Sequence, residues 1–195
     1  MKKIILASGS PRRRELLTQI GISFEVVKAE GEEKITTDDP EEAVKELAMQ
    51  KAQEVAGRVD ADVVIGADTV VAVDGEIMGK PKDPEDAVRM IHRIRGRDHE
   101  VLTGVAVILK KGEVETTINF AETTRVHVFP MTEEEIQAYV ASKEPMDKAG
   151  AYGIQGLFAA YVSGIEGDYN NVVGLPVGRL YQEVKAIADV DLRTL

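Results

Sequence analysis

The apolar positions of the chain fall into two patterns. Continuous runs, Ile4-Ile5-Leu6-Ala7 and the valine-rich stretch Asp62–Val73, predict strands buried on both faces. Residues 40–57 instead place Ala43, Val44, Leu47, Ala48, Ala52, Val55 and Ala56 at helical spacing and predict an amphipathic helix ended near Gly57. Leu16, Leu17 and Ile20 predict a helix after the first strand. Ser23–Val27 reads as a second strand, and residues 28–38, without a period, as an acidic loop. Asp74-Gly75 predicts a tight hairpin turn. A helix over 84–95 turns Ala87, Val88, Ile91 and Ile94 inward. Residues 99–110 and 113–129 read as strands joined at Lys111-Gly112, the second with one wet face. Then follow a helix over 132–142, a glycine-rich ligand-facing loop over 147–156, a strand over 157–163 and a turn-rich loop over 164–174. A last helix runs from Pro176 to about Ala188.

The helix starts expose an exception. Asp39-Pro40-Glu41-Glu42, Asp83-Pro84-Glu85-Asp86 and Thr132-Glu133-Glu134-Glu135 each pair a capping residue with acids in the first turn, as the helix dipole favours. The first helix has Ser10 at the N-cap and Pro11 at the first position, then Arg12, Arg13 and Arg14. Each cation there costs about 0.3–1 kcal/mol. Three guanidinium groups, small Ser8-Gly9-Ser10 residues and free first-turn N–H groups between a strand and a helix make an anion site suited to phosphate. Solvation, or pairing with Glu15 and other acids, is the plainer alternative. The pattern is not the P-loop, which needs Gly-Lys-Ser/Thr.

Other candidates follow from misplaced polarity. Asp68 stands in the middle of the valine-rich strand, and a carboxylate sunk there needs a cation, a metal or several N–H groups. Gly66-Ala67 before it leaves room for a ligand. Lys51 lies within the apolar stripe of its helix, either snorkelling out or aimed inward at a phosphate. The hairpin brings Lys80, between Gly79 and Pro81, back beside the strand of Asp68, with Lys82 the weaker candidate. Glu30, Glu32 and Glu33 in the acidic loop are solvated carboxylates or oxygen ligands for a divalent cation. Gln155, carrying both a donor and an acceptor, suits the edge of a base. His92, His99 and His127 show no metal-ligand spacing.

Composition narrows the function classes. The 195 residues can bury one sizeable core and read as one domain, 1–195, with two lobes. A net charge of −10 argues against a nucleic-acid or anionic-membrane binder, so the local basic cluster points to a small anionic ligand. The chain has no cysteine, which excludes disulfides and thiolate metal sites. The apolar start is too short for a signal peptide and no run approaches the ~20 residues of a membrane span, so a cytoplasmic protein is expected. Self-association as a homodimer is left open.

Taken together, Ser8-x-Ser10-Pro11-Arg12-Arg13, Gly66-Ala67-Asp68-Thr69, Gly79-Lys80-Pro81, the run Asp147–Gly156 and Gly174-Leu175-Pro176 resemble the Maf family of nucleoside triphosphate pyrophosphatases. The motifs stand in family order across nearly the whole chain. The resemblance implies an elongated α/β fold with a mixed sheet, Maf/ITPase-like, with a central cleft between two lobes. It implies hydrolysis of a nucleoside triphosphate to the monophosphate and pyrophosphate with a divalent metal, Mg²⁺ or Mn²⁺. Asp68 matches the family's proton acceptor. Ser8, Arg12, Arg13, Glu33, Lys51 and Lys80 match phosphate- or metal-site positions, with Glu33 and Asp68 as metal ligands. Thr69 and Gln155 match positions linked to substrate choice, in the manner of the branch acting on dTTP and UTP. Glu32-Glu33 stands where many relatives carry Asp-Glu. The alternative function is a nucleotide-binding regulator of cell division that senses without cutting.

Overall fold

The computed structural model describes residues 2–195. Its framework is one seven-stranded mixed sheet, in the order β2 (Glu25–Val26), β1 (Ile4–Leu6), β3 (Val63–Val73), β5 (Asp98–Lys111), β6 (Val114–Val128), β7 (Val162–Glu166). Strand β4 (Glu76–Met78) pairs with the far end of β3. The β2–β1 and β1–β3 pairs are parallel and the others antiparallel. The three long strands β3, β5 and β6, of 11, 14 and 15 residues, form its spine.

Side-chain alternation sorts the core into faces. On one face of β3, Val64 packs under Ala48, Ala52 and Val55 of α2 (Pro40–Arg58), and further along Val70 meets Val44 of the same helix. Gly66 and Gly104 let α2 lie this close. A Cβ on Gly66 would come 2.4 Å from the Ala48 carbonyl oxygen, and one on Gly104 would come 2.0 Å from that of Val44. Gly66 therefore makes room for a helix rather than for the ligand its sequence context suggests. On the opposite face there are two separate apolar clusters. Ile65, Ala67 and Val105 pack with α1 (Pro11–Gln19), α5 (Tyr169–Val173) and α6 (Val177–Ala188). Val71, Val73 and Val101 pack with α3 (Pro84–Ile94) and α4 (Glu133–Ala141). Between these clusters the sheet carries Thr69 opposite Thr103 in register, so their seam is polar.

Three helix starts behave as their sequences predict. Asp39 accepts from the Glu41 and Glu42 N–H groups, Asp83 accepts from Asp86, and Thr132 forms a capping box with Glu135. At α1, Ser10 occupies the N-cap position but makes no side-chain cap. Asp74 and Gly75, with φ of 53° and 80°, supply the left-handed pair that a two-residue hairpin turn needs.

Several expected elements differ. The second strand shrinks to Glu25–Val26 at the sheet edge. Residues Leu157–Tyr161 form a 3₁₀ helix with Phe158 fully buried, and the strand begins only at Val162. The loop expected over 164–174 contains the end of β7 and all of α5. Helix α2 runs past Gly57 to Arg58. The 147–156 segment is not one open loop. It winds through 3₁₀ turns at Glu144–Asp147 and Ala149–Ala151 and buries Tyr152 against Phe158.

Candidate active site

One edge of β3 is open. Strand β1 covers it as far as Ile65, where the Ala7 N–H donates to the Ile65 carbonyl at 2.8 Å; β4 covers it from Val71 onward. The stretch between, with Asp68 and Thr69 half-buried, faces the loop that leaves β1 for α1. Crevices at the carboxyl end of a parallel strand, where the chain turns away, are where open α/β sheets bind ligands. Here the notch exists because β1 is only three residues long while β3 has 11.

Alternation sends Asp68 and Thr69 to opposite faces. Asp68 meets Lys51 of α2, whose ammonium hydrogen-bonds Oδ1 and also lies 2.9 Å from Glu33 Oε1. The Lys51 and Asp68 side chains are only 16% and 15% exposed. Lys51 therefore points inward and does not snorkel. Oδ2 of Asp68 makes no hydrogen bond among the described residues. Glu33 reaches this point because its loop is strapped to α2 by side chains one turn apart. Glu54 accepts from the Glu30 and Gly31 N–H groups, Gln50 brackets the N–H and C=O of Lys34, and Glu46 accepts from Thr36. The strap has a sequence signal in the i, i+4, i+8 spacing of Glu46, Gln50 and Glu54, which the apolar periodicity of the helix does not single out.

On the other face Thr69 meets Arg13. The Arg13 guanidinium donates from Nε to the Gly174 carbonyl (2.8 Å), from Nη1 to Ser8 Oγ (3.0 Å) and from Nη2 to Thr69 Oγ1 (3.0 Å). Burial pushes its pKa below the usual arginine value, opposed by the nearby Asp68 carboxylate. Three of its five N–H groups are engaged, so the side chain is oriented before any ligand arrives. Ser8, 7% exposed, reaches the site as a support for Arg13. Arg12, half-buried, lies near Asp147 and helps hold that carboxyl below its usual range, after the Lys148 ammonium. Arg12 and the exposed Arg14 form no ion pair among the described residues, which removes the pairing with Glu15 as an account of the cluster.

Lys80 and Gln155 are exposed and hydrogen-bond none of these groups among the described residues. The Gly150 N–H donates to the Gly79 carbonyl at 2.9 Å, which ties the chain beside Lys80 to the segment that carries Gln155. Neither side chain joins the hydrogen bonds of the notch. Lys82 is also exposed, its backbone capped onto Asp86. Thr103 and Asn171 belong to the network although nothing in their sequence context marks them; the Gly174 carbonyl, which also belongs to it, comes from the Gly174-Leu175-Pro176 motif.

A hard divalent cation takes oxygen ligands and, in the case of magnesium, keeps several waters and substrate phosphates. The donor set fits this, since carboxylates of Asp68 and Glu33 converge on a single cationic atom, Lys51 Nζ. No group of three or more His, Cys, Asp or Glu side chains able to hold a metal occurs among the described residues. A groove of about 540 Å³ near Asp74, Arg97 and Arg125 lies at the β3–β4 turn over the adjoining ends of β5 and β6, away from this chemistry. Arg97 is there paired with Asp74.

The notch sets an acid, an ammonium and a guanidinium at the end of a short parallel strand of an α/β fold with a mixed sheet. The chain belongs to the Maf-like protein family, which it matches over residues 3–187. It is 53% identical to the dTTP/UTP pyrophosphatase of Agathobacter rectalis, over 96% of this chain and 98% of that protein. It is 52% identical to the protein of the same name from Lachnoclostridium phytofermentans, over 95% of each. With that from Bacillus cereus the identity is 51%, over 95% of this chain and 90% of the relative.

Proposed function

We propose that this protein is a nucleoside triphosphate pyrophosphatase that hydrolyses dTTP and UTP to the monophosphate and pyrophosphate. Relatives of this name at 51–53% identity over nearly the full chain support the substrate class. The observation that carries the chemistry is the meeting of Asp68, Lys51 and Glu33 beside an arginine cluster at the open edge of β3.

Arg12, Arg13, Lys51 and the uncapped start of α1 hold the polyphosphate and offset its charge, with Lys80 at the rim. Glu33 and Asp68 would hold Mg²⁺ or Mn²⁺, which when bound supplies charge neutralisation at the phosphate oxygens. Asp68 Oδ1 is held by Lys51, which leaves Oδ2 to take a proton from water as its oxygen bonds to the α-phosphorus. The bond between that phosphorus and the bridging oxygen breaks, and pyrophosphate leaves with the electron pair. Gln155 faces the base from the rim. No described helix is long and apolar enough to cross a membrane, and on this reading the enzyme works in the cytoplasm.

Incubation with UTP or dTTP and Mg²⁺ tests the proposal. Monophosphate and pyrophosphate are the expected products, and chelation should stop their release. Inorganic phosphate as the product would overturn the reaction class. Binding without turnover would favour a regulator.

A further inference from the structure

One cation beside the site has no part in the reading above. Lys28 follows β2, and its stem lies across Gly9 in the loop between β1 and α1. A Cβ on Gly9 would come 2.7 Å from Lys28 Cε and 3.1 Å from Cδ, so the lane is open because residue 9 has no side chain. The backbone at this point is fixed. The Val27 N–H donates to the Leu6 carbonyl at 3.1 Å, and Arg58 Nη2 donates to the Lys28 carbonyl at 3.2 Å. The Lys28 ammonium itself is exposed and forms no ion pair or hydrogen bond among the described residues, in a chain whose net charge is −10. The acids that flank it in sequence, Glu25 and Glu30, pair instead with Lys3 and Arg58. Arg12 and Arg14 of the same loop and helix are likewise unpaired, and α1 starts without a side-chain cap. Cations gathered at the positive end of a helix repel one another until an anion joins them.

Placement across the sheet says which part of a nucleotide Lys28 can meet. Strands β2, β1 and β3 are neighbours and parallel, so Lys28, the β1–α1 loop and Asp68 follow one another across it. Strand β4 closes the other side of the notch. The chain just after it is tied, through the Gly79 carbonyl, to Gly150 of the segment that carries Gln155. A nucleotide whose α-phosphorus meets Asp68 and whose base lies toward Gln155 therefore runs its remaining phosphates toward β1 and β2. We propose that Lys28 is a substrate-binding residue that meets the terminal phosphate, so that the site holds the triphosphate more tightly than the monophosphate product. This rests on the pyrophosphatase reading above and names the group that recognises the leaving end of its substrate.

The test is calorimetry with Mg²⁺ and either a non-hydrolysable UTP analogue or UMP, on the wild type, Lys28→Met, Lys28→Arg and Lys111→Met. Lys111, exposed at the end of β5 beyond the start of β3, is the control for a lost positive charge away from the notch. Lys28→Met should weaken the analogue at least about threefold, the worth of one exposed charge contact, and leave UMP unchanged. In turnover of UTP its KM should rise by the same factor at constant kcat. Lys28→Arg, which keeps the charge, should bind the analogue as the wild type does. Equal losses for the analogue and UMP would mean that Lys28 only supports the loop, and would overturn the proposal. Unchanged binding of the analogue, the same loss in Lys111→Met, or a Lys28→Arg variant as weak as Lys28→Met would also overturn it. Failure of the wild type to release pyrophosphate from UTP would instead strike the pyrophosphatase reading itself.

Discussion

Asp68 is costly where it stands, in a strand otherwise made of valine, isoleucine and alanine apart from Gly66 and Thr69. Its partner Lys51 is as deeply set, and removing one member of such a pair leaves the other charged and uncompensated. Asp68→Asn is the mildest change, since the amide keeps an oxygen for Lys51. With the base gone, kcat should fall by about 10²–10⁴-fold. Binding of a non-hydrolysable UTP analogue, measured by calorimetry, should stay within a few-fold. Near-normal turnover would remove Asp68 from the mechanism. A second buried titratable group lies away from the chemistry. His99, on β5, is 3% exposed, and its Nε2 lies 2.6 Å from the Tyr152 hydroxyl while Nδ1 has no partner among the described residues. Burial pushes its pKa down from 6.5 to about 4, against the pull of Asp98. The unfolded chain thus takes up the His99 proton first as pH falls. The contribution to stability is complete above about pH 6.5 and is lost toward pH 4, about 3 kcal/mol in all. His127, half-buried between Asp98 and Glu166, has a raised pKa through its hydrogen bond with Asp98 and acts in the opposite sense. In urea melts, His99→Gln should therefore lose less stability than the wild type between pH 6.5 and 4.5. Parallel pH curves would refute this.

At the scale of elements, α2 does more than cover the sheet. It presents Lys51 to Asp68, straps the Glu33 loop and lies on Gly66 and Gly104. Gly104→Ala puts a methyl group 2.0 Å from the Val44 carbonyl oxygen, so the helix must lift. A cost of about 3 kcal/mol is expected, with a loss of activity beyond what unfolding explains, because Lys51 moves with the helix. Gly57, on the open side of the same helix, has no atom within 4 Å of its missing Cβ, and Gly57→Ala should stabilise by about 0.5–1 kcal/mol. Thermal melts of the two variants check both signs, and equal shifts would show that the close approach carries no strain. The contrast also marks what the sequence could disclose. Periodicity located α2, α3, α4 and α6 and the long strands, and misplaced charge singled out Lys51 and Asp68, which pair on one face of β3, and Arg13, which meets Thr69 on the other. It could not show what each glycine makes room for, since a missing side chain looks the same beside a helix as beside a ligand. The 157–161 segment misled for a related reason: Leu-Phe-Ala-Ala-Tyr is too short and too apolar for its period to distinguish a strand from a 3₁₀ turn. Thr103 and Asn171 were silent because an isolated buried hydroxyl or amide leaves no pattern.

For the whole molecule, the question is what can move when a nucleotide enters. The two apolar clusters on one face of the sheet are divided by the Thr69–Thr103 seam, which would suggest a hinge. The strands argue otherwise. β3, β5 and β6 pass unbroken beneath both clusters, with continuous registers from Val63↔Leu109 to Ala72↔Glu100 and from Lys111↔Val114 to Asp98↔His127. Helix α2 spans the same length on the opposite face, touching both Val64 and Val70 through its neighbours. Bending at the seam would break ladder hydrogen bonds and α2 contacts together, whereas the loops that border the notch are held by far fewer. The Glu33 loop hangs on three side chains of α2, and the 144–156 turns on the Gly79 carbonyl, the packing of Tyr152 on Phe158, its hydrogen bond with His99, and the Glu144 carboxylate held by Tyr139 and the Leu157 N–H. Closure should therefore come from these segments around a fixed sheet. Hydrogen exchange with and without a non-hydrolysable UTP analogue reads this directly. Slowed exchange is expected in residues 8–14, 28–38 and 144–156, with the central amides of β5 and β6 unchanged. Altered protection along Val101–Val105 would mean that the sheet itself flexes at the seam.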